Sequence, residues 1–399
     1  MNYHNIVDEA RELAKWNAES EAFSIYQAMQ TLTDTRGKKG KRYSLAQVLT
    51  FILLAKLAGE TTLQAIADWV RYRGCWLQQV LPETRATFPC VATYSNVLRS
   101  VDPAQVTQGL MDLLTRVRAE KRAKDEQIHV ILDGKTLRGT QEHLADDQKK
   151  MHHVNLYEAK TGVVLKEHMV AEKEGEVTRM KAFLTPLLLA GRIISADALY
   201  THKSFCQEVI ASKGDYLLFV KGNQPTLLDD LRLFFDEPPL DCLDWRTDSL
   251  VEKGHGRLTN RLIKVSTELN DFLARDWYGV AQVFCLRRRV EYPLKCTQEY
   301  VYGITSLTPQ QADPFRLLEL IRHHWFIENR LHWRRDVTLA EDACQVRKGS
   351  APHTLAALNS FLLALFDFFD VTNAKQYMRY LDAHPLHAVQ LLLKSLREH

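Results

Sequence analysis

The sequence predicts an α/β protein whose first third is helical, whose middle carries the strands and whose end is helical again. Three observations predict this. Apolar residues recur at helical spacing from residue 44 to 118. The pattern changes to short β-branched runs directly after the charged linker RAEKRAKDEQ at 118–127. Helical spacing then returns at Pro314 and holds to the end of the chain. The 399 residues suffice for two or three domains. A composition of 46% hydrophobic and 25% charged residues excludes disorder, collagen and coiled coil as the overall class.

The helical part reads through SLAQVLTFILLAKLAG, TTLQAIADWVRYRG and TYSNVLRSVDPAQVTQGLMDLLTRVR. Thr61 and Thr62 stand where an N-cap belongs, and Gly59 and Gly74 punctuate the helices on either side. Thr62 to Val70 resembles the first helix of a helix-turn-helix, with residues 92–101 as its recognition helix. The same stripes read equally as a packed helical core.

After the linker come the strands IHVILD (128–133), HHVNLYEAK and GVVLKEHMVAE, the last two joined by a Thr161-Gly162 turn. A helix over about 178–190, a strand RIISAD (192–197), a helix over 201–213, a strand DYLLFVK (215–221) and a helix opened by Pro225 follow. Three strands followed by strands joined through crossover helices is the order of a ribonuclease H-like fold. Residues 237 to about 305 interrupt it with RLTNRLIKVS, WYGVAQVFCLRRRV and EYVYGITSL, a β-rich insertion. The chain thus divides into a helical N-terminal domain (1–124), a first core segment (125–236), the insertion (237–306), a final acidic core helix (307–350) and C-terminal helices (351–399).

Charge and cysteine content narrow the function classes. Seven cysteines stand singly, with no CxxC pair for a zinc knuckle or redox motif, which fits a reducing cytoplasm. No secretion signal is read at the N-terminus, and Lys56 and Asp367 break the longest apolar runs, so no membrane span or membrane partner is expected. The net charge of +3 is small, but RGKKGKR (36–42), RVRAEKRAK (116–124) and Arg287 to Arg289 concentrate cations locally. Such blocks are the footprint of a nucleic-acid binder, or solvated surface loops.

Two predicted strands end on aspartate, Asp133 and Asp197. In a ribonuclease H-like sheet those strands are neighbours, so the carboxylates lie side by side, and close like charges call for a cation. Hard oxygen ligands select Mg²⁺ or Mn²⁺. Glu328 is the third candidate: it lies on the margin of a stripe formed by Leu320, Ile327 and Leu331, about 80° from Leu320 on a helical wheel. Three carboxylates around two ions suit in-line phosphodiester displacement. Asp146, Asp147, Asp229, Asp230, Glu341 and Asp342 are rival acids. His324, Glu328 and His332, spaced by four and four, offer a zinc reading, although HExxH spacing is absent.

The motifs DGKTLRGT (133–140), ISADALYTHKSF (194–205), GDYLLFVKGNQPTL (214–227), VEKGHGRLTNR (251–261) and the run HHWFIENRLHWRRDVTLAEDACQVRKGS (323–350) resemble transposases of ISAs-type insertion sequences, the H-repeat-associated proteins of the DDE superfamily. The resemblance spans about residues 20–370. It implies a DNA transposase with a ribonuclease H-like core and a β insertion before the last acid, and it carries the triad onto Asp133, Asp197 and Glu328. Related families carry a tyrosine and an arginine before the glutamate and a lysine after it. Here those places hold Ile321, His324 and Arg335, with Arg322 as a substitute for the arginine. EKEGEV at 172–177 stands where an asparagine-glutamate pair is usual.

The expected activity is metal-dependent cleavage and strand transfer at insertion-sequence ends, using Mg²⁺ or Mn²⁺, two ions, on double-stranded inverted-repeat and target DNA. A ribonuclease H-like nuclease without strand transfer and a domesticated DNA-binding protein are the alternatives. Lys38, Lys39, Lys41, Lys135, Arg138, Lys221, Arg322 and Arg335 are candidate phosphate contacts. Asn223 and Gln224 lie in a KGNQP turn that reads as an anion or base-edge site, or as an ordinary β-to-α turn. A homodimer on DNA and a cytoplasmic, nucleoid-associated bacterial location complete the expectations.

Overall fold

The computed structural model describes residues 21–37, 40–81, 84–120, 127–136, 151–171, 184–240, 242–254, 256–325 and 327–398. Six helices come first: α1 (Ile25–Gln30), α2 (Leu45–Leu57), α3 (Leu63–Tyr72), α4 (Gly74–Val80), α5 (Val91–Ser100) and α6 (Pro103–Glu120). Ser44 caps α2 by accepting from the Gln47 amide, and Thr62 caps α3 by accepting from that of Ala65. Gly59, at φ +102°, lets the chain leave α2 in a conformation that L side chains resist. Every residue of α2 is buried, so it is the central rod of the helical body.

The strands are β1 (Ile128–Thr136), β2 (Met151–Glu158), β3 (Val164–Ala171), β4 (Arg192–Ala196) and β5 (Asp215–Val220). With them run a short helix α7 (Pro186–Leu189), α8 (Lys203–Ala211) and α9 (Pro225–Asp236). Then follow β6 (Arg246–Gly254), β7 (Arg257–Ser266), α10 (Asn270–Leu273), β8 (Gln282–Tyr292) and β9 (Lys295–Thr305). The chain ends in α11 (Pro314–His324), two π-helical segments (Ile327–His332 and Arg334–Thr338), α12 (Ala351–Phe368), α13 (Ala374–Ala383) and α14 (Pro385–Leu393). It is a mixed α/β fold with one large sheet.

All nine described strands form that sheet, in the order β3-β2-β1-β4-β5-β9-β8-β7-β6. β1, β4 and β5 run parallel, as crossover connections require, and the other neighbours are antiparallel. The β-rich stretch after residue 237 is hydrogen-bonded onto β5 through β9, so the sheet is continuous across it. β6 was not expected from the sequence. Its residues alternate between half-buried and exposed and none is fully buried, so an edge strand without a deep apolar face gave no hydrophobic signal.

One face of the sheet, with Val130, Leu132, Ile194, Ala196 and Leu218, is covered by α8 and α9. The other, with Ile193, Leu217 and Phe219, is covered by Leu317, Leu320 and Ile321 of α11. Ile131 of that second face joins a core that also contains α2, α6, α12 and α14. The N-terminal and C-terminal helices therefore share one hydrophobic core. The helix-turn-helix expectation is corrected here. α4 lies between α3 and α5 where that motif needs a turn of about three or four residues, and Ile66, Trp69, Val70, Tyr94, Val97 and Leu98 are spent on packing.

Candidate active site

The pairing of β1 with β4 sets the site. Ile131 lies opposite Ser195 and Leu132 opposite Ala196. Because side chains alternate along a strand, Asp133 shares its face with Ile131, and Asp197, just past the end of β4, follows Ser195. That face is the one α11 covers.

Each aspartate has its own partner. Asp133 Oδ2 lies 3.2 Å from Nε2 of His332, which donates because an ionised carboxylate only accepts, and Asp133 Oδ1 accepts from the Gly134 amide at 2.8 Å. Asp197 Oδ1 lies 2.8 Å from Lys221 Nζ. Burial pushes the Asp197 carboxyl up. The Lys221 ammonium and the Ala198 amide outweigh it and hold the group below its ordinary value.

Glu328 arrives differently from expectation. α11 stops at His324 and the backbone re-forms as a π-helix over Ile327–His332. Wider π turns are frequent at functional sites. Glu328 and His332 thereby stand with Asp133, each offering a ligand atom within 4.8 Å of the others. His332 is buried and its Nδ1 has no hydrogen-bond partner among the described residues. Two carboxylates and an imidazole at this spacing fit a divalent ion. The zinc reading built on His324 loses its basis, because the four-and-four spacing crosses the change from α to π winding. His324 instead directs Nδ1 to Ser195 Oγ at 2.9 Å. Burial pushes His324 down to about 4, against the pull of Asp133 and Asp197.

Of the rival acids, Asp229 is exposed near Arg232, Glu341 is paired with Arg335, and Asp146 and Asp147 lie outside the described residues.

The basic residues are sorted by their partners. Arg335 is fully buried, 2.6 Å from Glu341 Oε2 through Nε and 3.3 Å from Ser360 through Nη1. A phosphate contact from it is ruled out by that burial. Arg322 is ion-paired with Glu252, which also takes Arg261, so one carboxylate is shared by two guanidiniums and the three groups keep a net positive charge. Asn223 donates to the Ala198 carbonyl at 2.6 Å and Gln224 to that of Thr201 at 2.9 Å. Both side chains fasten the turn after β5 to the loop after β4. Lys221 is exposed beside Asp197, and Lys41 donates to the Asp34 carbonyl at 2.8 Å. Lys38, Lys39, Arg138 and Glu176 lie outside the described residues, and Lys135 is described only in its backbone, opposite His153.

This arrangement coincides with a family. The Transposase DDE domain profile matches residues 124–365. The chain belongs to the DDE transposase family. A second profile, described as DDE_Tnp_1-associated, matches residues 26–114, the helical region before the DDE domain. An uncharacterized protein in the dhlA 3′ region of Xanthobacter autotrophicus is 31% identical over 281 residues, covering 70% of this chain and 92% of that protein. The Escherichia coli K12 protein named "H repeat-associated putative transposase YhhI" is 25% identical over 347 residues, covering 84% of this chain and 88% of that one. A cryo-EM structure of the piggyBac transposase synaptic complex with hairpin DNA matches at a TM-score of 0.41 and 12% identity, covering 94% of this chain and 78% of that chain, a likeness too low to carry an argument. Asp133, Asp197 and Glu328 all fall within the span of the DDE domain match. No described helix is long and apolar enough to cross a membrane.

Proposed function

We propose that this DDE-family chain is a DNA transposase whose ribonuclease H-like core cleaves phosphodiesters at the ends of its element and transfers the freed strand to target DNA. The observation that carries this reading is the approach of Asp133 and Glu328, from opposite ends of the core sequence, to within 4.8 Å. Asp197 is not in that group; it follows the end of β4 on the face that Asp133 shares, and its place among the ligands is part of the proposal. The strand order β3-β2-β1-β4-β5, with β1, β4 and β5 parallel and β2 and β3 antiparallel, supports the ribonuclease H-like assignment of the core.

Asp133, Asp197 and Glu328 would hold the ions, with His332 either beside Asp133 as its donor or as a further ligand. Mg²⁺ or Mn²⁺ held there, two ions in this reading, would supply the positive charge that phosphodiester displacement needs at the attacking and leaving oxygens. The chain's own residues do the rest. Lys221 keeps Asp197 ionised and oriented, Asn223 and Gln224 fix the loop that carries it, and the π-helix sets Glu328 against β1. The exposed Lys221 and the basic block around Lys41 would meet DNA phosphates. DNA bridging by a homodimer belongs to the same reading.

The test is incubation of the full-length protein with Mg²⁺ and labelled DNA from both borders of its gene, where inverted repeats are expected. Strand breaks at the repeat ends with free 3′-hydroxyls, and joined products when target DNA is added, are expected. Cleavage without joining supports the nuclease alternative, and absence of cleavage contradicts the proposal.

A further inference from the structure

A buried polar chain runs beneath the acids. Ser195 Oγ lies 2.7 Å from His129 Nε2 and 2.9 Å from His324 Nδ1. The three residues come from β4, β1 and the end of α11, and each is at least nine-tenths buried, with exposures of 0%, 7% and 6%. His324 packs on Phe219, with ring centroids 4.7 Å apart. Asp133 and Asp197 both lie close enough to act on its charge.

Proton counting decides how the chain is wired. The serine hydroxyl has one hydrogen, and a neutral imidazole has one N–H and one bare nitrogen. If Ser195 donated to His129, then His129 Nδ1 would carry the ring hydrogen, and that atom has no hydrogen-bond partner among the described residues. If both rings donated to Ser195, the hydroxyl hydrogen would lack an acceptor. Each of these leaves a buried donor unpaired, the costlier kind of defect. In the remaining arrangement His129 Nε2–H donates to Ser195 and Ser195 donates to His324 Nδ1; the fully buried unpaired atom is then the bare Nδ1 of His129, and the His324 ring hydrogen sits on Nε2, which is not among the fully buried unpaired atoms.

We infer that His129 and Ser195 lock His324 as the Nε2–H tautomer, making it a positioning donor toward the Asp133 and Asp197 side of the site and not a metal ligand. A ring nitrogen that carries hydrogen has no lone pair for a metal. Burial keeps both rings neutral, which the wiring requires. This inference rests on the reading of the two aspartates as the catalytic acids, but the tautomer itself does not.

The experiment is long-range ¹H–¹⁵N correlation on full-length protein labelled at histidine nitrogen, recorded without metal and then with Mg²⁺ alone, with His324 assigned by its loss in His324→Gln. The expected spectrum shows His324 protonated on Nε2 and bare on Nδ1 in both states. Ser195→Ala should give a mixed tautomer and slow end cleavage about tenfold or more, with end-DNA binding retained. Ser195→Thr, which keeps the hydroxyl, should restore both. A His324 protonated on Nδ1 in the wild type, or a tautomer unchanged in Ser195→Ala, overturns the inference without needing any activity. The expected tautomer in a wild-type protein that cuts no end DNA would instead count against the proposed function and leave the wiring standing.

Discussion

His332 Nε2 stands 3.2 Å from Asp133 Oδ2, across almost two hundred residues of sequence, and both side chains border the position where Glu328 offers its carboxylate. Removing that imidazole frees Asp133 to rotate and deletes a nitrogen from the cluster. Partners of this kind are worth about 10- to 100-fold in metal affinity. His332→Ala should therefore weaken Mn²⁺ binding by that factor, read by EPR titration of the full-length protein. Unchanged affinity would remove His332 from the centre.

The Arg335–Glu341 pair is a stability element. With the arginine fully buried, Arg335→Ala leaves Glu341 charged and underpaired beside Asn359, a defect worth about 3–5 kcal/mol. Urea unfolding should show that loss, and the double variant Arg335→Ala with Glu341→Ala should recover part of it. A single variant as stable as the wild type would contradict the assignment.

Acid should destabilise the fold through His129. Burial, followed by the charges of His324, His323 and Arg316, holds its pKa well below 6.5. As pH falls through about 6.5 the unfolded chain takes up a proton at this residue and the folded chain does not, so stability drops by up to about 1.4 kcal/mol per pH unit. His129→Gln should flatten the difference in urea midpoint between pH 7 and pH 5.5 by that share. An equal difference in wild type and variant would refute it.

The helices before residue 124 should not fold by themselves. α2 and α6 share their core with α12 and α14, so a chain cut there exposes apolar faces along both helices. A fragment of residues 1–124 is expected to show no cooperative unfolding transition. In the full-length protein, replacing Lys38, Lys39 and Lys41 by alanine should lower the slope of log affinity against log salt by up to about three units if all three meet phosphates. A cooperative fragment, or an unaltered slope, would count against these two expectations respectively.

Much of this was readable from the sequence because it depends on local periodicity. IHVILD and RIISAD declared β1 and β4 by their apolar β-branched content, and Thr161-Gly162 declared the β2–β3 turn, where Gly162 sits at φ +73° with the Asp367 carboxylate in the space a Cβ would fill. The winding around Glu328 was not readable. A wheel of 3.6 residues per turn assumes α geometry, and nothing in IENRLH announces a π turn. The carboxylate partners of Arg322 and Arg335 escaped for another reason. A cation reads the same whether it faces DNA or a distant carboxylate, and the Glu252 that takes Arg322 lies 70 residues away in β6, a strand with no apolar signature.

The most direct measurement is end-DNA cleavage in Mg²⁺ by Asp133→Asn, Asp197→Asn and Glu328→Gln, with binding to the same DNA measured on the same preparations. In the proposed site each substitution would remove an oxygen ligand worth several kcal/mol of transition-state stabilisation, so cleavage should fall by more than about a hundredfold in all three. Binding should stay close to that of the wild type, because in the proposed reading cations outside the triad hold the phosphates. Asp229→Asn and Asp230→Asn, in α9 with Asp229 exposed and Asp230 half-buried, should cleave normally. Near-normal cleavage by any of the three would strike that acid from the site, and near-normal cleavage by Asp133→Asn or Glu328→Gln would contradict the proposed metal centre itself.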